Sequence, residues 1–221
     1  FGQAICPDGA VMAGNGTFEI LLQGKGGHAS QPEACADPVL AASAVTMALQ
    51  QIVARRLAPQ HAAVVSVTSI DAPSAPTVIP DTAKIGGSIR LAQSADRDVI
   101  NKLIAEIATS AAAAYGVKTE VTLFPRYGAT VNHAAEAGLV RAALAAELGP
   151  AWQAQDTQVP IMASEDFSYY LNEVPGAFAL IGAGEGRGED HPCHSPHYDF
   201  NDRLIPVVTK MFARLAGAPL P

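Results

Sequence analysis

Residues 17–28 run Thr17-Phe18-Glu19-Ile20-Leu21-Leu22-Gln23-Gly24-Lys25-Gly26-Gly27-His28. Up to Gln23 the stretch alternates. Phe18, Ile20 and Leu22 share one face and Thr17, Glu19, Leu21 and Gln23 the other, which is the period of a β-strand. Three glycines in the next four residues call for unusual backbone angles or for close approach to neighbouring chain. The loop lacks the Gly-x-x-x-x-Gly-Lys-Ser/Thr spacing that cradles phosphate. It reads either as a loose connection or as a built loop that presents His28.

Past this loop Asp37-Pro38 opens a helix, with Asp as N-cap and Pro at the first helical position. The helix is expected from 39 to about 56. Leu40, Ala44, Met47 and Gln51 form one line along it, and Val45, Leu49 and Ile52 broaden the apolar stripe. Residues 63–70, rich in Val and Thr, read as a strand. Pro73, Pro76 and Pro80 make a loop, and residues 83–91 are the next strand, with Ile85 and Ile89 on one face. Ser94 or Asp96 caps a second helix. In it Ile100, Leu103, Ile104, Ile107 and Ala111 recur at helical spacing, and Gly116 closes it. Residues 118–124 alternate again, with Val121 and Leu123 inward. Strand, helix, strand, strand, helix, strand over 17–124 is the split βαβ order of a ferredoxin-like α/β sandwich, complete as a domain.

Residues 1–16 are Gly-rich and irregular, with a turn at Pro7-Asp8-Gly9, and read as a connector. Residues 125–131 are a linker. An Ala/Leu-rich helix follows over Ala134–Leu148, stopped by Gly149-Pro150. Residues 158–163 read as a short strand or loop. Ser164 caps a short helix to Leu171, with Glu165 and Asp166 near its positive end. Residues 178–182 are a buried strand, 184–188 a loop, and Leu204–Leu215 a closing amphipathic helix. With helices and one or two strands, 130–221 cannot cover both faces of a sheet. It is expected to be part of a domain whose remainder lies outside these residues.

Of the 221 residues 49% are hydrophobic and 16% charged, the composition of a packed core rather than a disordered chain. A net charge of −7 argues against a nucleic-acid partner, which needs a basic patch. No apolar run approaches the roughly 20 residues of a membrane span. Three cysteines, Cys6, Cys35 and Cys193, are too few and odd in number for a disulfide framework, so a reducing, cytoplasmic setting is expected. Phe1-Gly2-Gln3 is neither an initiator Met nor a signal-like segment, and the chain reads as cut from something longer.

The densest chemistry lies at 191–202. His191, His194 and His197 fall within seven residues, followed by Asp199, Asn201 and Asp202, the donor types that zinc and related divalent metals take. Pro192 and Pro196 forbid a helix that would align the three rings. One ligand with two bystanders is therefore favoured over three ligands, against plain surface histidines. His28 is either surface decoration or a hydrogen-bond donor to a developing oxyanion. Arg90 is either an ordinary strand-end arginine or a clamp for a substrate carboxylate. Glu165-Asp166 is either a helix cap or an outer pair orienting a metal ligand.

Five motifs then stand in order: Gly24-Lys-Gly-Gly-His28 with Pro32 and Asp37-Pro38; Val78-Ile-Pro-Asp81; Gly87-Ser-Ile-Arg90; Met162-Ala-Ser-Glu-Asp-Phe167; and His194-Ser-Pro-His-Tyr-Asp-Phe-Asn-Asp202. Together they resemble the amidohydrolase branch of the aminoacylase-type co-catalytic zinc peptidases, which includes hippurate hydrolases and auxin-conjugate amidohydrolases. The resemblance implies a ferredoxin-like lid and dimerisation domain at 17–124, followed by the C-terminal part of an α/β metallopeptidase catalytic domain at 130–221. By position it implies His194 as a metal ligand and His28 as the lid histidine that reaches the scissile carbonyl, usually across the dimer. It also implies Arg90 and Thr77 as substrate-binding groups, and Glu165 as a group behind the metals. Thr77 stands where many relatives have Asn, and Glu33 where many have His.

The implied reaction is hydrolysis of the amide bond of an N-acyl amino acid or similar peptide-like small molecule. Two divalent metals per complete site, zinc or manganese, would activate the water, in a homodimer joined through the lid. The family's other metal ligands and its glutamate base match no position here, so an incomplete enzyme, inactive alone, is expected. The alternative is a non-catalytic dimerisation or ligand-binding module derived from such an enzyme.

Overall fold

The computed structural model describes residues 1–186 and 190–221. It is a mixed α/β chain of two compact units. One comprises Ala13–Ala129 with Met162–Glu165, the other Phe1–Met12, Thr130–Ile161 and Asp166–Pro221.

The first unit is built on strand β3 (Gly14–Gln23). It pairs antiparallel with β7 (Thr82–Leu91) on one side and β8 (Lys118–Pro125) on the other. Strand β5 (Ala63–Asp71) completes the sheet, in the order β5-β7-β3-β8. Helices α1 (Pro38–Leu49) and α2 (Asp96–Ala113) pack on one face. Phe18, Ile20, Leu22, Ile85 and Leu91 lie fully buried beneath them, against Ile100 and Ile104 of α2. Each such side chain contributes about 1.5–3 kcal/mol by leaving water. The order and connections are those of the ferredoxin-like sandwich, reached by satisfying the alternation of 17–23.

Local details differ from the sequence expectation. The Asp37 cap forms, its Oδ1 accepting from the N–H groups of Val39 (2.8 Å) and Leu40 (3.2 Å). Helix α1 buries Ala41, Ala42, Val45 and Leu49 rather than the line through Leu40 and Met47, and Met47 is 74% exposed. In an alanine-rich helix the apolar residues run all round, so the sheet rather than the pattern chooses the face. Past Gln50 the chain widens into a π-helical turn, Ile52–Arg56. Neither Ser94 nor Asp96 caps α2. The Ser94 hydroxyl accepts from Ala129 N–H (2.9 Å). Asp96, 6% exposed, takes the His61 ring at 2.8 Å. Gly116 closes α2 as expected, at φ 71°, with Val117 N–H returning to the Ala112 carbonyl.

In the second unit the expected irregular 1–16 segment instead contributes strands β1 (Ala4–Ile5) and β2 (Gly9–Met12). They pair antiparallel with β10 (Leu180–Ile181) and β9 (Thr130–Asn132). The strand expected over 178–182 shrinks to the half-buried β10. Two- to four-residue strands have too short an alternation to be recognised in sequence. Helices α3 (Ala134–Leu148) and α5 (Leu204–Leu215) occupy the expected spans. Helix α4 is Phe167–Glu173, with no side-chain cap from Ser164. Residues 187 and 188 of the expected 184–188 loop lie outside the described residues. Asn132, nearly buried, donates to the Pro7 and Phe178 carbonyls (both 2.9 Å) and accepts from Phe178 N–H at 2.6 Å, joining three segments. Burial pushes the neighbouring Cys6 thiol up, against the lowering influence of Arg141. Among the described residues no helix is long and apolar enough to cross a membrane.

Strand β7 admits Phe18 across it only because residue 87 is Gly. A Cβ there would collide with the Phe18 ring and the Ser66 carbonyl oxygen. Gly87→Ala is expected to destabilise the chain by about 1–3 kcal/mol, as overpacking does. Urea denaturation monitored by circular dichroism checks this, and an unchanged midpoint would refute it.

Candidate functional site

Beyond Gln23 the chain leaves the sheet and forms the built version of the Gly24–His28 loop. Its glycines are explained by close approach. None of Gly24, Gly26 or Gly27 has a positive φ. A Cβ at Gly24 would strike the Ala36 carbonyl, one at Gly26 the Ile79 carbonyl, and one at Gly27 would come within 2.8 Å of Cys35 Sγ. Asp81 holds the loop twice: its carbonyl accepts from Gly24 N–H and its Oδ1 from Gly26 N–H, both at 2.8 Å. Strand β4 (Gly27–His28) then pairs with β6 (Val78–Ile79). Ala29 N–H donates to the Thr77 carbonyl at 2.9 Å. The structure thus brings Thr77 and His28 together on one zipped segment, both exposed. Ser30 turns back on the ring, its N–H 3.1 Å and its hydroxyl 2.7 Å from His28 Nδ1.

Arg90 lies at the other end of β7, paired in register with Asn15 and Val64. It shares the face of Lys84 and Ser88, opposite the buried Ile85 and Ile89. Its Nη1 donates to Ser164 Oγ at 2.7 Å. The eight steps along the strand from Thr82 to Arg90 span about 26 Å at roughly 3.3 Å per residue, and His28 lies beyond the Thr82 end. His28 and Arg90 of one chain are therefore not neighbours. Glu165, partly buried, belongs to this sheet unit, and His194 to the other.

At 191–202 the prolines do what was expected of them and the segment is a chain of turns. Ser195 N–H reaches the Pro192 carbonyl, and Tyr198 N–H the Ser195 carbonyl, both at 3.1 Å. His194 is exposed with φ 70°, the one non-glycine residue with positive φ among the described residues. Such left-handed positions cluster at functional sites. The rings of His191 and His197 lie 5.3 Å apart between centroids, tilted by 44°. They border an open hollow of about 470 Å³ with Asp190, Asp199 and Asn201. Asn201 anchors that hollow through the Ala183 carbonyl at 3.0 Å.

The donors suit zinc or manganese chemically. Among the described residues, however, no three His, Cys, Asp or Glu side chains converge to hold an ion. A two-metal centre does not fit on these residues alone. The sequence alone points to no role for Asp81 or Ser30, and for Ser164 only to that of a helix cap. The only sequence signal for Ser30 is its place two residues after a histidine, where short polar side chains fold back locally.

The chain belongs to peptidase family M20/M25/M40, whose model matches residues 7–218. It is similar to the IAA-amino acid hydrolase ILR1-like 2 of Arabidopsis thaliana, 34% identical over 220 residues that cover 98% of this chain and 49% of the relative. It is also similar to the hippurate hydrolase of Campylobacter jejuni, 33% identical over 208 residues, 94% of this chain and 53% of the relative. Among solved structures it resembles the Bacillus subtilis YXEP protein, a dinuclear metal binding peptidase of family M20. The TM-score is 0.75 and the identity 28%, over 97% of this chain and 52% of that one. The chain spans about half the length of the curated relatives it matches.

Asp81→Ala removes the side-chain half of the loop clamp. The Gly26 amide is expected to exchange with deuterium about 10-fold faster or more, one lost hydrogen bond being worth about 1–1.5 kcal/mol. Exchange at the core amides of β3 should be unchanged. Equal protection at Gly26 in the two proteins would refute the clamp.

Proposed function

We propose that this chain is the lid and the C-terminal catalytic portion of a metal-dependent amidohydrolase. Its substrates are N-acyl amino acids or closely related conjugates, and its setting is cytoplasmic. The support is membership of the family together with the hydrolases of amino acid conjugates among its relatives. His194 contributes one metal ligand, and Glu165 stands behind the metals. The remaining ligands and the general base come from outside these 221 residues. His28 donates a hydrogen bond to the scissile carbonyl oxygen as charge develops on it. Arg90 binds the substrate carboxylate in fork geometry, and Thr77 borders the substrate beside His28.

One observation carries the arrangement. Arg90 lies near one end of β7 and His28 past the other, with Thr82 and Arg90 themselves about 26 Å apart by strand length. A small substrate cannot touch both in one chain. A complete site therefore draws His28 from one protomer and Arg90 from its partner, in a homodimer formed through the sheet unit. Strands β5 and β8 are the two edges of that unit's sheet, and Leu40 and Met47 form an exposed apolar ridge on α1.

The test uses the protein together with the residues that complete its catalytic half, with N-benzoylglycine as substrate. His194→Ala is expected to lower metal content and turnover together. His28→Ala should lower turnover by about 10²–10³ with metal retained. Mixing His28→Ala with Arg90→Ala protomers should restore about a quarter of wild-type turnover, because half of the dimers then hold one intact shared site. Full metal and turnover in His194→Ala would overturn the metal assignment, and no restoration on mixing would overturn the shared site.

A further inference from the structure

We propose that Ser30 is a positioning residue for His28. It holds the imidazole as the neutral ring protonated on Nε2, so that Nε2–H is the donor offered to substrate. The inference rests on the reading of His28 as the oxyanion donor, but its geometric part stands by itself. The Ser30 backbone nitrogen lies 3.1 Å from His28 Nδ1 in donor geometry. A backbone N–H can only donate. The ring nitrogen that receives it must present a lone pair, and a neutral imidazole with its lone pair on Nδ1 carries its proton on Nε2.

The Ser30 hydroxyl, 2.7 Å from the same Nδ1, can turn either way and here donates as well. A ring protonated on Nδ1, alone or with Nε2, would set N–H against N–H. The main-chain donor is fixed by the surrounding turn. Gln31 N–H donates to the His28 carbonyl at 2.8 Å and Ala29 N–H to the Thr77 carbonyl at 2.9 Å. The N–H that selects the tautomer is therefore delivered by pinned backbone rather than by a rotating side chain. Among the described residues none hydrogen-bonds Nε2, so the proton placed there remains for a ligand.

Two measurements test this. In the first, the 221-residue chain is labelled with ¹⁵N-histidine. Its ring nitrogens are observed by long-range ¹H–¹⁵N correlation at about pH 8.5, some two units above the ordinary imidazole pKa. His28 is assigned by its absence in His28→Gln. The expected pattern is protonated Nε2, with Nδ1 shifted as a hydrogen-bond acceptor. Ser30→Ala removes the hydroxyl and keeps the main-chain donor, so it should move the Nδ1 resonance part of the way toward that of an unbonded imine nitrogen with Nε2 still protonated, and Ser30→Thr should bring it back. Protonated Nδ1 in the wild type, or an identical Nδ1 resonance in wild type and Ser30→Ala, overturns the proposal.

The second measurement uses the completed enzyme. Ser30→Ala keeps the backbone donor and should lower kcat by about 10-fold with KM and metal content unchanged, part of the roughly 10²–10³ that an oxyanion donor supplies. It should cost nothing further in a His28→Ala background. An equal loss in that background overturns the coupling. Full turnover in His28→Ala would instead overturn the oxyanion reading, and the ring-nitrogen spectrum would still decide the tautomer.

Discussion

The burial of Phe18, Ile20 and Leu22 beneath α1 and α2 is the constraint on which the sheet unit depends. These three side chains are essentially inaccessible, and they belong to the strand that is hydrogen-bonded on both edges. Slipping that strand by one residue would put Glu19, Leu21 and Gln23 into the core. Register is therefore fixed along β3, and with it the point at which Gln23 ends the ladder opposite Thr82 and Lys118. The loop that follows starts from a defined place.

From there the loop is held by main-chain geometry. Asp81 takes two of its N–H groups, β4 pairs with β6, and the glycines let the Ala36 and Ile79 carbonyls approach to where a Cβ would stand. An exposed histidine on an ordinary loop would sample many orientations, and ordering it on binding would cost side-chain and loop entropy. Here the backbone on both sides of His28 is already paired. The same economy holds at Arg90, whose position on β7 is set by the ladder and whose guanidinium is steadied by Ser164.

Much of this was legible beforehand, for identifiable reasons. The strands over 17–23, 83–91 and 118–124 alternate cleanly, α2 repeats Ile100, Leu103, Ile104 and Ile107 on one face, and Asp37-Pro38 is a strong helix start. The structure has all of them. What failed was local chemistry that a fold can redirect. Ser94, Asp96 and Ser164 are good capping residues in isolation. Each is instead taken by a partner far along the chain, at Ala129, His61 and Arg90. The alanine-rich α1 carried apolar residues on every side, so its pattern could not choose between Ala41 and Met47.

The alternation of β3, the βαββαβ order, the glycine-bounded placement of His28 and the proline-broken histidine cluster are written in the linear order of residues. These are properties of neighbouring residues and of elementary backbone geometry. The folded chain shows that the glycines serve close approach rather than unusual angles, and that Asp81 closes the loop. It alone set His28 past one end of β7 with Arg90 near the other, and gave the His28 ring a main-chain donor on Nδ1. Pairing across the chain and strand length in space fix such relations, and a linear pattern carries neither.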